Sequence, residues 1–335
     1  MPQLLERCKR WMLIFVTAWL LTLITPLTAQ QPQHTSDTLF AYLPLILHSV
    51  ELDINDRQSV VNFYVNNYVG SENIADGWTG DQASCNAGTT SQAFRDTVVK
   101  RINYYRRMAG MDKVTLDPTY NAKAQQAALM MSRNNKLNHT PPTTWFCYTV
   151  DGKTAAGSSN LAGGTYGANS IRAYMRDGGF VGHRRWILYP NTQQMGTGDV
   201  PSRSGFMSAN ALWVFGAPST RPATRDEFVA WPPSGYVPYT VVYGLWSFSY
   251  KNANFSNAIV TMNQGANVIP VQITSRTDNG YGENTIVWLP QGYTEGATWA
   301  NPVNDTTYTI TVSNVVIGAQ TRAFTYNVII IDPSR

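Results

Sequence analysis

Leu137-Asn138-His139-Thr140-Pro141-Pro142, Ser158-Ser159-Asn160-Leu161-Ala162, Ser170-Ile171-Arg172-Ala173-Tyr174-Met175-Arg176-Asp177 and Gly182-His183-Arg184-Arg185-Trp186-Ile187-Leu188 lie in one segment that closes on Gly196-Thr197-Gly198. The chain has four histidines. His34 and His48 fall in a stretch that reads as leader and linker, so His139 and His183 are the pair in the folded body. Two imidazoles at the two ends of one segment raise the question of whether they meet.

Around this segment the pattern is α+β. Ser91 can cap a helix over 93–108 that stops at Gly110, with Phe94, Val98, Ile102 and Tyr105 on one face. Asp117 as N-cap and Pro118 at the first helical position open a second helix. Its Ala124, Ala127, Ala128 and Met131 permit close packing, and it ends near Asn134-Asn135. A third helix spans roughly 169–177 and stops at Gly178-Gly179. Residues 184–189 read as a short helix or loop, and 194–198 and 211–216 as strands. Residues 57–69 form a short N-terminal helix, followed by a loop over 70–90. Residues 217–225 read as a linker.

From Trp231 the period changes to two. Residues 239–243, 258–262, 268–273, 285–289, 308–312 and 323–331 read as short strands between Gly, Asn, Asp and Pro turns. About seven strands in about 100 residues fit a small all-β sandwich of immunoglobulin-like type, without a Cys–Trp–Cys signature. Trp231, Trp246, Trp288 and Trp299 form either the core of this sandwich or a sugar-binding platform. Asp278-Asn279-Gly280 through Glu283 reads as a turn, since it lacks calcium-loop spacing.

Arg7, Lys9 and Arg10 precede an uncharged apolar run over 11–23, and Ala29 offers a small residue for cleavage. This is the pattern of a secretory signal peptide over 1–29. The run is short for a membrane span, which needs roughly 20 apolar residues; an uncleaved anchor is the alternative. Residues 30–56 read as a linker, polar at first and with an apolar island at 43–47. Cys8 precedes the apolar run. Charged residues are 14% of the chain, low for a globular protein. Subtracting three of the 25 basic and one of the 21 acidic residues leaves 22 against 20 after cleavage, and no basic stripe points to nucleic acid. The two remaining cysteines, Cys85 and Cys147, either pair or stay as two thiols; secretion favours the pair.

These motifs resemble a known family over residues 94–216: the CAP domain of cysteine-rich secretory proteins, antigen-5 allergens and plant pathogenesis-related proteins. Ile102-Asn103-Tyr104-Tyr105-Arg106 resembles the family's Leu-Asn-x-x-Arg helix. Val114-x-Leu116-Asp117 resembles the entry to its second helix, and Gly182-His183 the start of its Gly-His-aromatic motif. Gly196-x-Gly198 and residues 211–216 resemble its closing strands. The resemblance implies a CAP-type α-β-α sandwich over 57–217, followed by the β-domain over 226–335.

In the family, two histidines and two glutamates form a tetrad at the base of a cleft, and the histidines can hold a divalent metal, often zinc. Carried over, the tetrad is His139, Ser159, Asp177 and His183, with Ser159 and Asn160 in the family's Gly-Glu-Asn triplet. Glu72-Asn73 and Gly282-Glu283-Asn284 mimic that triplet but do not lie between the histidines. Ser159 in place of a glutamate removes the most plausible general base for a metal-bound water. A nucleophilic role for Ser159 finds no oxyanion hole or nucleophile turn. Asp177 is expected in the last helical turn, where a carboxylate is unfavourable. Arg184-Arg185 departs from the family's aromatic and small polar residues, and reads as a solvated face or an anion-preferring rim.

Three functions compete. The resemblance implies a secreted binding protein whose cleft, around His139 and His183 with Zn or another divalent metal as candidate cofactor, holds a small or lipidic ligand or a partner protein. The second is a metal-dependent, peptidase-like hydrolase, against which the missing glutamate argues. The third is a carbohydrate-binding cell-envelope protein acting through its β-domain. A purely structural histidine pair is the alternative to any site.

Overall fold

The computed structural model describes residues 52–216, 220–276 and 279–335. The expected signal peptide, Cys8, His34, the 43–47 island, His48 and Asp278 lie outside the described residues. Residues Ser49–Arg335 form one compact unit. No helix of the described residues is long and apolar enough to cross a membrane.

The first helix, α1 (Arg57–Phe63), is capped by Asp56, whose side chain accepts from Ser59 N at 2.5 Å. It widens into a π turn over Tyr64–Tyr68 and then tightens into a 3-10 turn over Val69–Ser71. Helix α2 (Gln92–Met108) starts where Ser91 accepts from Phe94 N, and it buries Phe94, Val98, Ile102 and Tyr105. Gly110, at φ +76°, ends that turn. A two-residue strand, β1 (Thr115–Leu116), leads into α3 (Pro118–Asn134), which Asp117 caps by accepting from Tyr120 N at 2.9 Å. Asn135 takes the left-handed conformation that closes it.

The next two elements have weak sequence signals. Helix α4 (Val150–Gly157) is built from small and polar residues behind a Thr149 cap. Strand β2 (Ser159–Gly163) follows directly. Then come α5 (Ala168–Met175), α6 (Gly182–Ile187), β3 (Gln194–Val200) and β4 (Ala209–Trp213). The four strands order as β1-β3-β4-β2, with β1 parallel to β3 and the other pairs antiparallel. Helix α3 lies directly on β3 because two glycines allow it. A Cβ at Gly198 would lie 2.1 Å from the Ala124 carbonyl carbon, and one at Gly196 2.4 Å from Tyr120 Cβ.

The C-terminal half is all-β. Its described strands are β5 (Val229–Trp231), β6 (Gly235–Pro238), β7 (Trp246–Ser249), β8 (Ala253–Asn254), β9 (Ile259–Gln264), β10 (Asn267–Ile269), β11 (Val271–Ser275), β12 (Thr285–Pro290), β13 (Thr306–Ile317) and β14 (Gln320–Ile331). One sheet orders β10-β9-β13-β14-β6, and the other β11-β12-β7-β5. All pairs are antiparallel except β14–β6. Two expectations are corrected. Residues 239–243 are not a strand but begin with a 3-10 turn over Tyr239–Val241. The run 268–273 is broken at Pro270, which has no N–H to give a ladder, and its halves join different sheets. Trp231, Trp246 and Trp288 are fully buried and Trp299 nearly so, so they are core and not a sugar platform.

The two halves share one apolar core, in which Ile102, Tyr105 and Ile187 join Trp231, Tyr243 and Phe248. Tyr105 and Tyr243 bond through their hydroxyls at 2.7 Å, and the Tyr105 ring packs on Trp231. The reading of Arg184-Arg185 as a solvated face is overturned. Arg184 is 0% exposed; it donates to Met175 O and, across the junction, to Leu245 O at 2.8 Å and Ser247 Oγ at 3.3 Å. Arg185 donates to Asn279 Oδ1 and Glu283 O. Of the segment read as linker, Arg221 pairs with Glu283 at 2.5 Å, and Arg225 N donates to Gly110 O. Helix α1 serves the β half as well: Arg57 donates to Asp332 O and Arg335 O and pairs with Asp305.

Cys85 and Cys147 are disulfide-bonded across a sequence separation of 62. Replacing both by serine is expected to cost about 4 kcal/mol in urea unfolding, the loop-closure entropy for that length. Because the halves share a core, unfolding of the wild type should be a single transition. Arg184→Ala strands buried carbonyls on both sides and should cost about 2–4 kcal/mol. Equal stability of the two proteins would show that Arg184 does not hold the junction.

Candidate functional site

Of the carried-over residues, Asn160, Asp177 and His183 are linked by hydrogen bonds, and His139 is held separately. His139, just after α3, has Nδ1 2.8 Å from Ala156 O near the end of α4, which fixes Nδ1 as the donor. Two residues beyond Gly157, Ser159 opens β2, opposite Trp213 of β4. Its hydroxyl is buried and has no hydrogen-bond partner. Asn160 is buried and donates from Nδ2 to His183 O at 3.0 Å.

Asp177 lies beyond the end of α5, not in its last turn as expected. One carboxylate oxygen accepts from His183 N at 2.7 Å, and the other faces His183 Nδ1 at 3.0 Å. The carboxylate therefore sits at the start of α6, where backbone N–H groups favour it, and it fixes the imidazole ring. In both histidines Nδ1 is spoken for, which leaves Nε2 with its lone pair as the nitrogen open to a ligand. The His183 side chain is 39% exposed.

A carboxylate behind a histidine is the arrangement that orients metal ligands. Among the described residues, however, no group of three or more His, Cys, Asp and Glu is placed to hold a metal. Two imidazoles fit a loosely held divalent ion completed by solvent or ligand. They do not fit a catalytic zinc centre with three protein ligands. The two decoys are engaged elsewhere: Glu72 pairs with Arg101, and Glu283 with Arg221.

A buried polar network behind the site has little sequence signal. Asp199 of β3 is fully buried and accepts from Gly167 N, Asn210 Nδ2 and Thr197 Oγ at 2.6–2.8 Å. Asn210 Oδ1 accepts from the Tyr174 hydroxyl at 2.7 Å, which also reaches Asn160 O at 3.1 Å. The Tyr174 ring lies 5.3 Å from the His183 ring. A charge on a strand of small residues was the one available hint.

The Leu-Asn-x-x-Arg-like motif now has a physical role. Arg106 collects the carbonyls of Asp112, Ile187, Tyr189 and Thr192 at 2.8–2.9 Å. Asn103 closes a two-way bond with the Val114 backbone. Burial lowers the Arg106 and Arg184 guanidinium pKa values to about 10, leaving both charged at neutral pH.

The family model for the cysteine-rich secretory protein family, CAP, matches residues 99–215. Residues 99–215 are a CAP domain. The match runs from within α2 through β4 and includes His139, Ser159, Asn160, Asp177, His183 and Arg106. No curated protein matches the chain. A solved structure similar to part of it is selenomethionine PcoC, a copper resistance protein from Escherichia coli. It is 9% identical, covers 30% of this chain and 94% of that chain, and has a TM-score of 0.22. A likeness that weak carries no argument for the β half or for copper.

Burial raises the Asp199 carboxyl above the ordinary carboxylate value, against the lowering by its three donors. The folded state then binds more protons than the unfolded one. Stability from this group is full below the unfolded pKa and falls as pH rises through the folded pKa. Measured by urea unfolding, the stability of wild type minus that of Asp199→Asn should decline as pH rises above the ordinary carboxylate range. A difference that stays flat or rises would rule this out.

Proposed function

We propose that this chain is a secreted CAP-domain binding protein, with a cleft around His139 and His183 that holds a small or lipidic ligand or a partner protein. The observation that carries it is the way both imidazoles are held from behind. Asp177 and Ala156 O occupy Nδ1, which leaves Nε2 as the nitrogen for a ligand. Ser159 supports binding over hydrolysis, because it leaves the site without a second carboxylate to act as general base. The basic and apolar N-terminal pattern and the Cys85–Cys147 disulfide support secretion. The two C-terminal sheets, sandwiched over a common core and of immunoglobulin-like type in this reading, brace the CAP domain for presentation at an envelope or extracellular surface.

A divalent ion such as zinc fits as a companion to the ligand. It would be held by the two Nε2 atoms, and its Lewis acidity would add attraction for an oxygen-bearing ligand. Zinc is also the simplest probe of whether the imidazoles converge. Calorimetric titration of the purified protein should show one-site zinc binding. The affinity should fall by at least about tenfold in His139→Ala and in His183→Ala, each of which removes one nitrogen donor. Absence of saturable binding by the folded wild type would leave the histidines as a structural brace and overturn the shared site.

A further inference from the structure

A band of aromatic rings runs away from His183 across the junction of the two halves. Trp186 lies one turn beyond His183 on α6. Its ring is 4.7 Å from Phe215, 5.8 Å from Tyr189 and 6.1 Å from Tyr281, and Tyr281 is 5.2 Å from Phe180. Phe180, Phe215 and Tyr281 are 38%, 40% and 43% exposed. Only one other aromatic side chain among the described residues, Phe146, is as open. Exposed aromatic surface gathered in this way marks an interaction site.

The band is built by close approach. A Cβ at Gly182 would lie 2.6 Å from Phe180 Cε2 and 3.3 Å from Tyr281 Cδ1. Gly282, at φ +70°, sets the β-domain loop on the Arg185 carbonyl. The nearby charges are compensated, since Arg185 bonds Asn279 and Glu283 O, and Glu283 pairs with Arg221. The Trp186 indole N–H and the Tyr281 hydroxyl make no hydrogen bond among the described residues and are free polar handles.

We propose that the band formed by Phe180, Trp186, Phe215 and Tyr281 binds a neutral glycan. The ligand it fits has apolar faces and hydroxyl edges and carries no net charge. The rings meet each other at tilted or edge-on angles, so no slot opens between them for a proline ring. Their outward faces stack sugar rings instead. This surface is distinct from the histidine cleft and goes beyond the binding reading proposed for it.

The test titrates the purified chain with cellopentaose, xylopentaose and chitopentaose, followed by tryptophan fluorescence and calorimetry. At least one should bind, with affinity reduced about tenfold or more in Tyr281→Ala and in Phe180→Ala, and unchanged in Phe146→Ala and His139→Ala. Fluorescence-monitored urea unfolding confirms that each variant is folded. The proposal is overturned if no pentasaccharide binds. It is equally overturned if binding persists in both band variants, or if a polyproline decapeptide binds the band and the sugars do not.

Discussion

Guanidinium groups buried against main-chain carbonyls hold this molecule together. Arg184 is the decisive case: one side chain ties the carbonyl that ends α5 to the carbonyl of Leu245 in the β half. Arg106 does the same for the loop after α6, and Arg101 for the turn at Tyr68 and Ser71. The ends of helices and loops leave carbonyls without partners, and a planar five-donor fork satisfies several at once. Because these cations are buried, losing the acceptors they hold is costly, so the segments they join are fixed together. The position of α6, and with it His183, depends on this.

The parts of the fold visible in the sequence are those set locally. Ser91, Asp117 with Pro118, and Gly110 mark helix ends by chemistry that acts within one turn. Alternation over β9, β13 and β14 shows because each strand has one face in the core. Helix α4 was missed because its residues are small and polar and its amphipathic signal is slight; a single Thr149 cap starts it. Arg184 and Arg185 were read as solvated because nothing near them in sequence shows that Leu245 O and Glu283 O lie in reach. Partners more than sixty residues away are a property of packing.

The sequence named candidate site residues but not the groups that hold them. The resemblance named His139, Ser159, Asn160, Asp177 and His183; the structure bonds Asn160 and Asp177 to His183 and holds His139 separately on Ala156 O. It did not reveal that Asp177 caps α6, or that Asp199, Asn210 and Tyr174 form a buried polar column behind the histidine. Such a column stiffens what it supports because every member already has a partner. An unpartnered Ser159 hydroxyl beside it is the exception, at the position where the family carries a carboxylate.

Arg57 also has a topological consequence. Its guanidinium reaches Asp332 O and Arg335 O, while Ile54 O accepts from Tyr236 N. The two ends of the folded body are thus stitched at one corner, and the path through helix, sheet and sandwich is a closed circuit lacking only a covalent link. The order of the halves along the chain is therefore incidental to how they sit together: cut at an exposed loop and joined at that corner, the same contacts would still be satisfied.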